Sequence, residues 1–424
     1  MGFFQFVEHV IFTPLIRYPA LGALVVLIVF IALLVVVWRW RLYVVQYKFV
    51  LSKKWITLEI RFPKEVERSP AAMEVFFING LYHSGGDGNP FKKYWLGQVL
   101  NWLSLEIVSY GGSVHFYIRA HKWMKDTIEA QLYAQYPQVE ILEVEDYTDR
   151  VPQYEADSGW NLYGGTFFKE RPDVYPIKTY KDWGVDRHYE SLDVEQQIDP
   201  LSSLIEAMSA LRPGEEWWVQ FVIKAHKGRG WHDAAEKEII KLQREYRDRI
   251  ISSDEGRQEG SSYSLTEGER DTISAIERGM EKFRFDVGIR TMYLAKKENY
   301  DGNKHLFVKN MFSPFASQHL NRLKRITYTG FDNPWADYGD ILNTAKKKRF
   351  LEDYRNREYH HHMFKFTWLD WYMKYFDDYF HPTGMTMSTE ELATLFHIPG
   401  RMVQTPGIER IESRKAEPPA NLPT

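Results

Sequence analysis

The amino-acid sequence predicts an α+β fold that follows a single N-terminal transmembrane helix. A charge-free apolar run covers residues 18–38, strand and helix patterns alternate over residues 55–150, and a similar alternation returns over residues 170–330. In both segments the predicted order is strand, helix, strand, strand, helix, strand, which is the ferredoxin-like βαββαβ pattern. We therefore expect two tandem ferredoxin-like units, an α-hairpin inserted in the second, and a small C-terminal helical and extended segment.

The composition limits the class of protein. The 424 residues suffice for two or three domains, and a hydrophobic share of 44% with a charged share of 26% is ordinary for a globular chain. A net charge of −3 argues against a surface built for nucleic-acid phosphates. The chain contains no cysteine, which excludes disulfides, cysteine-ligated zinc and a cysteine nucleophile.

The apolar run from Tyr18 to Trp38 predicts a membrane anchor. As a helix it would span about 30 Å, the thickness of the hydrocarbon core of a bilayer. Tyr18 at one end, and Trp38 and Trp40 at the other, stand where interfacial aromatic residues belong. A cleaved signal peptide is the competing interpretation, but the run is too long and no small-residue cleavage pattern follows it.

The charges that flank this run predict its orientation. Arg17 is the only lysine or arginine before it. The cations that follow it are Arg39, Arg41, Lys48, Lys53 and Lys54. The positive-inside rule then places the rest of the chain in the cytoplasm. Residues 1–54 are thus expected to hold a short outer segment, the anchor and a basic juxtamembrane segment.

The first ferredoxin-like unit is predicted over residues 55–150. Ser69 and Pro70 suit the N-cap and the first position of a helix, and Gly111–Gly112 predicts a hairpin. The predicted elements are a strand at 55–63, a helix at 69–83, a loop at 85–97, strands at 102–110 and 113–119, a helix at 122–137 and a strand at 138–147. The apolar stripe of the first helix consists of Met73, Phe76, Phe77, Gly80 and Leu81.

The second unit, residues 170–330, is predicted to repeat this order around a long insert. Its predicted elements are a strand at 174–180, a helix N-capped by Asp199, a strand at 216–225, and then a strand, a helix and a strand over residues 286–330. The insert, residues 231–285, predicts two charged helices, and a Thr266/Glu269 capping box opens the second. The sequence leaves open whether this hairpin docks a partner or is a solvated excursion.

Residues 331–387 are less regular and rich in aromatic residues. Such density predicts either a contact surface or a small extra core. The region contains the basic run Lys346, Lys347, Lys348 and Arg349, which could contact a single-stranded nucleic acid together with aromatic neighbours. A solvated helix end is the other interpretation of the run.

The sequence contains no recognisable P-loop, nucleophile or metal motif. A GxxxxGK[ST] P-loop is absent, as are a GxSxG elbow and an HExxH zinc motif. The consecutive histidines His360–His362 would point in different directions on a helix or a strand, so a shared metal ion is not expected. We therefore expect a protein that is not an enzyme and that uses no cofactor or metal.

Several stretches resemble a known family. Residues 61–83 (RFPKEVERSPAAMEVFFINGLYH), 133–148 (YAQYPQVEILEVEDYT) and 199–220 (DPLSSLIEAMSALRPGEEWWVQ) resemble membrane-anchored bacterial proteins associated with type IV secretion and conjugation-type ATPases. Residues 388–424 resemble the segment that lies just before the nucleotide-binding domain in such ATPases. The resemblance touches most of residues 55–424, but none of its motifs is catalytic. Because no P-loop is present, it implies a front half that is encoded separately from the motor.

The resemblance also implies a docking role for the C-terminal segment. A helix is predicted at 389–397, capped by Ser388 with Glu391 as its capping-box partner and ended by Pro399–Gly400. The Pro-rich tail that follows could lie along a partner in polyproline form. The alternative is a helix that packs on its own domain and a disordered tail. The residues expected to contact the partner are Leu392, Leu395, Phe396, Pro399, Pro406, Pro418 and Pro419.

Together, the residues and the resemblance predict a non-catalytic, single-pass subunit of the bacterial inner membrane in a complex related to type IV secretion or conjugation. Its expected partners are the lipid bilayer and a P-loop ATPase, and a platform for a ring should itself form a homo-oligomer. Contact with DNA would be indirect. The alternative is a membrane-tethered module that binds single-stranded nucleic acid, and a membrane-bound enzyme comes third. The sequence does not choose between DNA, protein and pilin as cargo.

Overall fold

The structure is a computed structural model, and it divides the chain into two compact units. It describes residues 19–63, 68–83, 89–155, 157–185, 199–253, 265–330, 340–359 and 384–400. Residues 1–53 and 85–100 form the first unit, which we call the anchor unit, and residues 54–84 and 101–424 form the second, which we call the body.

The described residues form the following helices and strands, in chain order. They are α1 (Pro19–Leu51), β1 (Trp55–Arg61), α2 (Ala71–Phe76, continued by a π-helical turn at Phe77–Leu81), α3 (Pro90–Tyr94), β2 (Trp102–Tyr110), β3 (Ser113–His121), α4 (Lys125–Gln135), β4 (Glu140–Val144), β5 (Trp160–Lys169), α5 (Ser202–Ser209), β6 (Glu215–Ala225), α6 (Gly230–Ser253), α7 (Glu267–Met280), β7 (Arg284–Lys296), α8 (His305–Asn310), β8 (Leu323–Tyr328), α9 (Ile341–Arg355), β9 (Met385–Ser388) and α10 (Thr389–Leu395).

The body is built on one antiparallel sheet, to which the described residues contribute nine strands. The strand order is β4-β1-β3-β2-β6-β7-β5-β8, and β9 pairs with β7 away from this path. The order is the same in both halves when each is followed from the edge of the sheet to its centre. In each half, the strand that comes first in the sequence lies between the third and the fourth, and the second strand lies at the centre of the sheet. The halves meet where β2 pairs with β6, from Trp102 opposite Lys224 to Tyr110 opposite Glu216. The predicted mixture of helix and sheet is confirmed, and both predicted units contribute to the same sheet.

Most elements of the first predicted unit are confirmed, and so are the helix cap, the apolar stripe and the glycine turn that predicted them. The Ser69 hydroxyl accepts a hydrogen bond from the Ala71 amide at the start of α2, and the apolar stripe of α2 is buried. Gly111 and Gly112 join β2 to β3 with φ values of +56° and +97°. A Cβ on Gly112 would lie 2.7 Å from the Ser209 carbonyl oxygen, so this tight turn requires glycine.

The strand predicted at residues 174–180 is wrong, since the structure forms no strand there. The first strand of the second half is β5 instead. The backbone of residues 174–180 bonds to side chains and loops: the Ile177 amide donates to Glu391 Oε1 and the Lys178 amide to the Phe315 carbonyl. Its apolar alternation therefore reports burial of Val174, Tyr175 and Ile177 rather than strand pairing.

Three smaller predictions also need correction. The helix predicted to continue through residues 305–320 is limited to α8 and a 3₁₀ turn at Ser313–Phe315, because Pro314 cannot continue the helix. The predicted loop at 85–97 contains the short helix α3, capped by Asn89. Asp199 caps the Leu201 amide at 2.8 Å, one turn ahead of the regular part of α5.

The predicted helical insert is confirmed as α6 and α7 between β6 and β7, and Thr266 and Glu269 form the predicted capping box. The hairpin has a small apolar core of its own, to which Val174 and Tyr175 also belong. The other members of that core are Ala235, Leu242, Ile273 and Ile276.

The sheet carries apolar packing on both faces. Along β6, Trp217, Val219 and Phe221 face the main core, which also contains side chains of α2, α4, α5 and α10. The side chain of Trp218 points to the other face, because alternate residues of a strand face opposite sides. There α9 covers the sheet, and Gly164 lets Phe350 approach the backbone of β5. The described part of the aromatic-rich region is thus an extra core, while residues 360–383, including the three histidines, lie outside the described residues.

Candidate membrane anchor and C-terminal docking segment

The anchor unit holds a helix that is long and apolar enough to cross a membrane, the only such helix among the described residues. The candidate span is Gly22–Leu51, with a mean hydropathy of 2.8, and none of its most apolar window is buried. Trp38, Arg39 and Trp40 are exposed at the end of the predicted run. Tyr18 lies outside the described residues. These features agree with a single-pass anchor.

Arg41 of α1 is held by contacts within the anchor unit. Its guanidinium donates to the Tyr94 carbonyl at 3.2 Å and lies 4.3 Å from the ring centre of Trp95. The Trp38 ring lies on the guanidinium as well, at 5.3 Å. A cation predicted only to set orientation therefore also fixes residues 94–95 against the helix.

The C-terminal segment, residues 384–400, is part of the body. Strand β9 pairs with β7, with Ser388 opposite Arg284 and Met385 opposite Val287. The helix that follows lies in the main core. The expected exposure of Leu392, Leu395 and Phe396 is therefore wrong: all three are fully buried. Their apolar face was correctly identified, but the chain's own sheet covers it.

The acidic residues of α10 are bound by cations and donors of the body. Glu391 Oε1 lies 2.7 Å from the buried Lys169 ammonium, and its Oε2 accepts the Ser388 amide at 2.9 Å, which completes the predicted capping box. Glu390 accepts the Thr179 hydroxyl at 2.7 Å and lies 3.1 Å from Lys181. Buried carboxylates that are paired and hydrogen-bonded fix one geometry. The segment is thus attached by charge as well as by apolar burial.

A buried ion pair fixes the end of the segment. The two ring nitrogens of His397 lie 2.8 Å from the Ala393 carbonyl oxygen and 3.1 Å from Asp199 Oδ1. Both partners are hydrogen-bond acceptors, so each ring nitrogen faces an acceptor. Burial alone would raise the pKa of Asp199, but the charge and hydrogen bond of His397 and two backbone amides lower it overall. One of these amides is that of Gly400, so the last described residue is held at a defined point.

Of the other four predicted docking residues, one lies within the described residues and three lie outside them. Pro399 is buried with the segment. Pro406, Pro418 and Pro419 lie outside the described residues, so their predicted contact with a partner stays a prediction.

The basic run lies on α9, and most of it is occupied by contacts within the body. Lys346 and Arg349 are buried, and Arg349 pairs with Asp353 at 2.8 Å. Lys347 donates to the Asn161 side chain at 2.8 Å, and burial lowers its pKa. The exposed member is Lys348. A nucleic-acid surface of four cations is therefore not formed in this arrangement.

A buried ion network, which the sequence did not indicate, fixes the chain beyond α9. Arg357 has a φ of +53°, and its guanidinium binds Glu106 at 2.9 Å and Asp146 at 2.6 Å. Burial alone would raise the pKa of both carboxyls, but Arg357 lowers both below their usual values. Gln220 adds a donor to Glu106 at 3.0 Å. The three ionic residues come from distant parts of the chain, so no local pattern could reveal them.

A mixed-charge cleft of about 360 Å³ lies on the sheet face of the first half. His115 lies in it and bridges Glu59 at 2.7 Å and Ser113 at 3.1 Å, and its hydrogen bond lowers the pKa of Glu59. A hydroxyl, an imidazole and a carboxylate joined in this order occur in nucleophilic catalysis. Ser113, however, is not among the residues that line the cleft. The Ser113–His115 bond follows from the i, i+2 spacing on β3, the His115–Glu59 bond joins β3 to β1, and neither points a nucleophile at the cleft.

One exposed group has the composition of a metal site. The candidate ligand atoms of His232, Asp233 and Glu236 lie within 4.8 Å of one another near the start of α6. Asp233 and Glu236 are exposed, and solvated carboxylates on one helix turn are common without a metal ion.

The comparisons with known proteins identify a family without naming a function. The model of a domain of unknown function (DUF8128) matches residues 53–410, which includes most of the chain. No functionally curated protein matches the sequence.

Proposed function

The chain belongs to the DUF8128 family, and we propose that it is a non-catalytic, membrane-anchored platform in a translocation complex like those of type IV secretion or conjugation. In this proposal α1 crosses the bilayer, and a P-loop ATPase binds the body. The observation that carries the proposal is that one chain combines an exposed apolar helix with a large body that has a buried core of its own.

The exposed helix supports the anchoring part. Large apolar side chains from Leu24 to Val37 are mostly more than half exposed. Contiguous apolar surface of this extent is rare on soluble monomers and marks a binding surface, and a length of about 30 Å or more fits a bilayer. With Arg39 and Arg41 after the span, the positive-inside rule favours a cytoplasmic body on a bacterial inner membrane.

The strand order supports the platform part. Each half follows the order four, one, three, two of an antiparallel βαββαβ unit, and we propose that both halves are ferredoxin-like and related by an approximate two-fold arrangement. Pairing of β2 with β6 makes one continuous sheet from both. A single sheet of this width makes the body rigid, so that a second protein, or further copies of this chain, can be positioned on the body.

The C-terminal segment supports a revised docking site. Because α10 is buried, we assign contact with the ATPase to residues 401–424 rather than to Leu392, Leu395 and Phe396. Gly400, held by Asp199, fixes the point on the body from which those residues leave. A Pro-rich segment that starts from a fixed point loses little entropy on binding.

An affinity purification tests the proposal. A tag placed within residues 254–264, between α6 and α7, leaves both chain ends free, and the complex is recovered from native membranes in mild detergent. We expect a stoichiometric P-loop ATPase, whose recovery falls on deletion of residues 401–424. Recovery of lipid and this chain alone would contradict the platform. Hydrogen exchange of α10 is the control that the deletion leaves the body folded.

The alternative, direct binding of single-stranded nucleic acid, has less support. Of the basic run, Lys348 alone is exposed. Lys348→Glu should therefore change little if the chain is a platform. Salt-dependent binding of single-stranded DNA that is lost in this variant would favour the alternative.

A further inference from the structure

We propose that residues 89–97, which we call the interfacial segment, insert into the lipid headgroup layer beside α1 as a second membrane contact. The inference rests on the proposed anchor and goes beyond it, because nothing in the apolar run predicts a contact fifty residues later in the chain.

The interfacial segment exposes large apolar side chains. Phe91, Trp95 and Leu96 are 58%, 53% and 54% exposed, and Lys92 is exposed beside them. The Phe91 and Trp95 rings stack with centroids 6.2 Å apart. Exposed aromatic and leucine side chains within one short turn are costly in water and are typical of elements that lie in a membrane interface.

The segment is fixed to α1 at a defined level. Arg41 binds the Tyr94 carbonyl and lies under the Trp95 ring. Gly97, with a φ of +66°, lies so close to α1 that a Cβ would be 2.6 Å from the Val45 carbonyl group. Glycine is required both by this φ and by the close approach. The exposed side chains are therefore held beside the helix rather than on a free loop.

That level corresponds to the headgroup layer. Arg41 is three residues and Val45 seven residues beyond Trp38, where the charge-free run ends. At about 1.5 Å per residue these positions lie roughly 5 and 10 Å beyond the end of the hydrocarbon core. Each headgroup layer is about 5–8 Å thick, so the segment lies in or at the edge of it.

The chemistry of the surrounding residues fits phospholipid. Trp40 and Arg39 are exposed on α1 at the same end of the run, and Lys92 adds a cation on the segment. Tryptophan rings favour the interface, where the apolar ring and the polar N–H are both satisfied. Arginine and lysine complement lipid phosphates. The occupant that meets both requirements is the bilayer surface on which α1 would already be seated.

Because the chain contains no cysteine, single-cysteine labelling tests the proposal cleanly. Leu96→Cys, Leu33→Cys and Tyr133→Cys are each made in the full chain, labelled with an environment-sensitive nitrobenzoxadiazole dye, and reconstituted in vesicles of phosphatidylcholine and phosphatidylglycerol. All three native side chains are exposed, so the substitutions do not disturb packing. Quenching is measured with lipids that carry a nitroxide at the headgroup or deep in the acyl chain.

The proposal predicts that the label at Leu96 is quenched by headgroup nitroxide, the label at Leu33 by the deep nitroxide, and the label at Tyr133, on α4 of the body, by neither. If the label at Leu33 is quenched and the label at Leu96 is not, the proposed membrane contact of the interfacial segment is overturned, while the proposed anchor is supported. A blue-shifted but unquenched label at Leu96 would overturn it in favour of a protein contact. If Leu33 is unquenched, the anchor fails and this inference fails with it.

Discussion

The ion pair between Lys169 and Glu391 gives the sharpest test of how the C-terminal segment is held. The Lys169 ammonium is buried and has three acceptors: Glu391 at 2.7 Å, the Thr386 carbonyl at 3.0 Å and the Asp173 carbonyl at 3.1 Å. Lys169→Met removes all three bonds and leaves the Glu391 carboxylate buried without its cation. The side-chain volume changes little, so the loss is electrostatic.

The magnitude follows from the geometry. Two charges 2.7 Å apart attract by about 6 kcal/mol at an effective dielectric constant of about 20. Part of this energy only offsets desolvation, and breaking one side of a buried pair costs about 3–5 kcal/mol in practice. The double variant Lys169→Met/Glu391→Gln should recover a large part of that loss, because it removes the unpaired charge and keeps the cap.

Hydrogen exchange of α10 in the full chain, together with urea unfolding, measures the effect. For Lys169→Met we expect faster exchange of α10 by a factor of roughly 10²–10³ or more and a lower urea midpoint. Lys324→Met, which removes an exposed partner of Glu170, is the matched control and should change little. Exchange of α10 at the wild-type rate in Lys169→Met would refute the assignment of this pair as the attachment.

Three further predictions follow from the same packing. The folded-state pKa of Asp199 is lowered, so its contribution to stability is full above about pH 4 and is lost as the pH falls through the folded pKa. The variant Asp199→Asn should therefore be less stable than the wild type at pH 7, and its stability should fall less on acidification. Urea midpoints measured at several pH values test this. Gly288→Ala would place a Cβ 2.2–2.3 Å from ring atoms of Tyr359 and should cost about 1–3 kcal/mol by urea unfolding, whereas Gly302→Ala, with open space around it, should be nearly neutral. Phe396→Ala removes a fully buried ring and should cost about 3–5 kcal/mol, measured in the same way; a change under about 1 kcal/mol would contradict the burial of this segment.

Local signals identified most elements of the body. The Gly111–Gly112 hairpin, the Thr266/Glu269 and Ser388/Glu391 capping boxes and the α2 stripe depend on residues within a few positions of one another. Such signals survive folding because tertiary contacts rarely override a tight turn or a completed cap. The strand predicted at residues 174–180 shows the limit, since its alternation matched burial but not a hydrogen-bonding neighbour.

The candidate site was predicted less well than the fold. The apolar face of α10 and its cap were correct, yet the sequence could not show which surface covers that face. Residues over a hundred positions away decide this: Lys169 binds Glu391 and Asp199 binds His397. The interfacial segment was likewise predicted as a plain loop, because its attachment to α1 depends on Arg41 and on the close approach of Gly97.

The sequence by itself determined the apolar helix, most strands and helices of the first half, the helical insert between β6 and β7, and the absence of a GxxxxGK[ST] motif. These properties depend on composition and on neighbours within a few residues. Only the tertiary structure decided that both halves join in one sheet through β2 and β6, that α10 packs into the chain's own core, and that α9 covers the second face. The reason is physical: periodicity shows which side of an element avoids water, whereas the complementary charge and shape of distant residues decide what covers it.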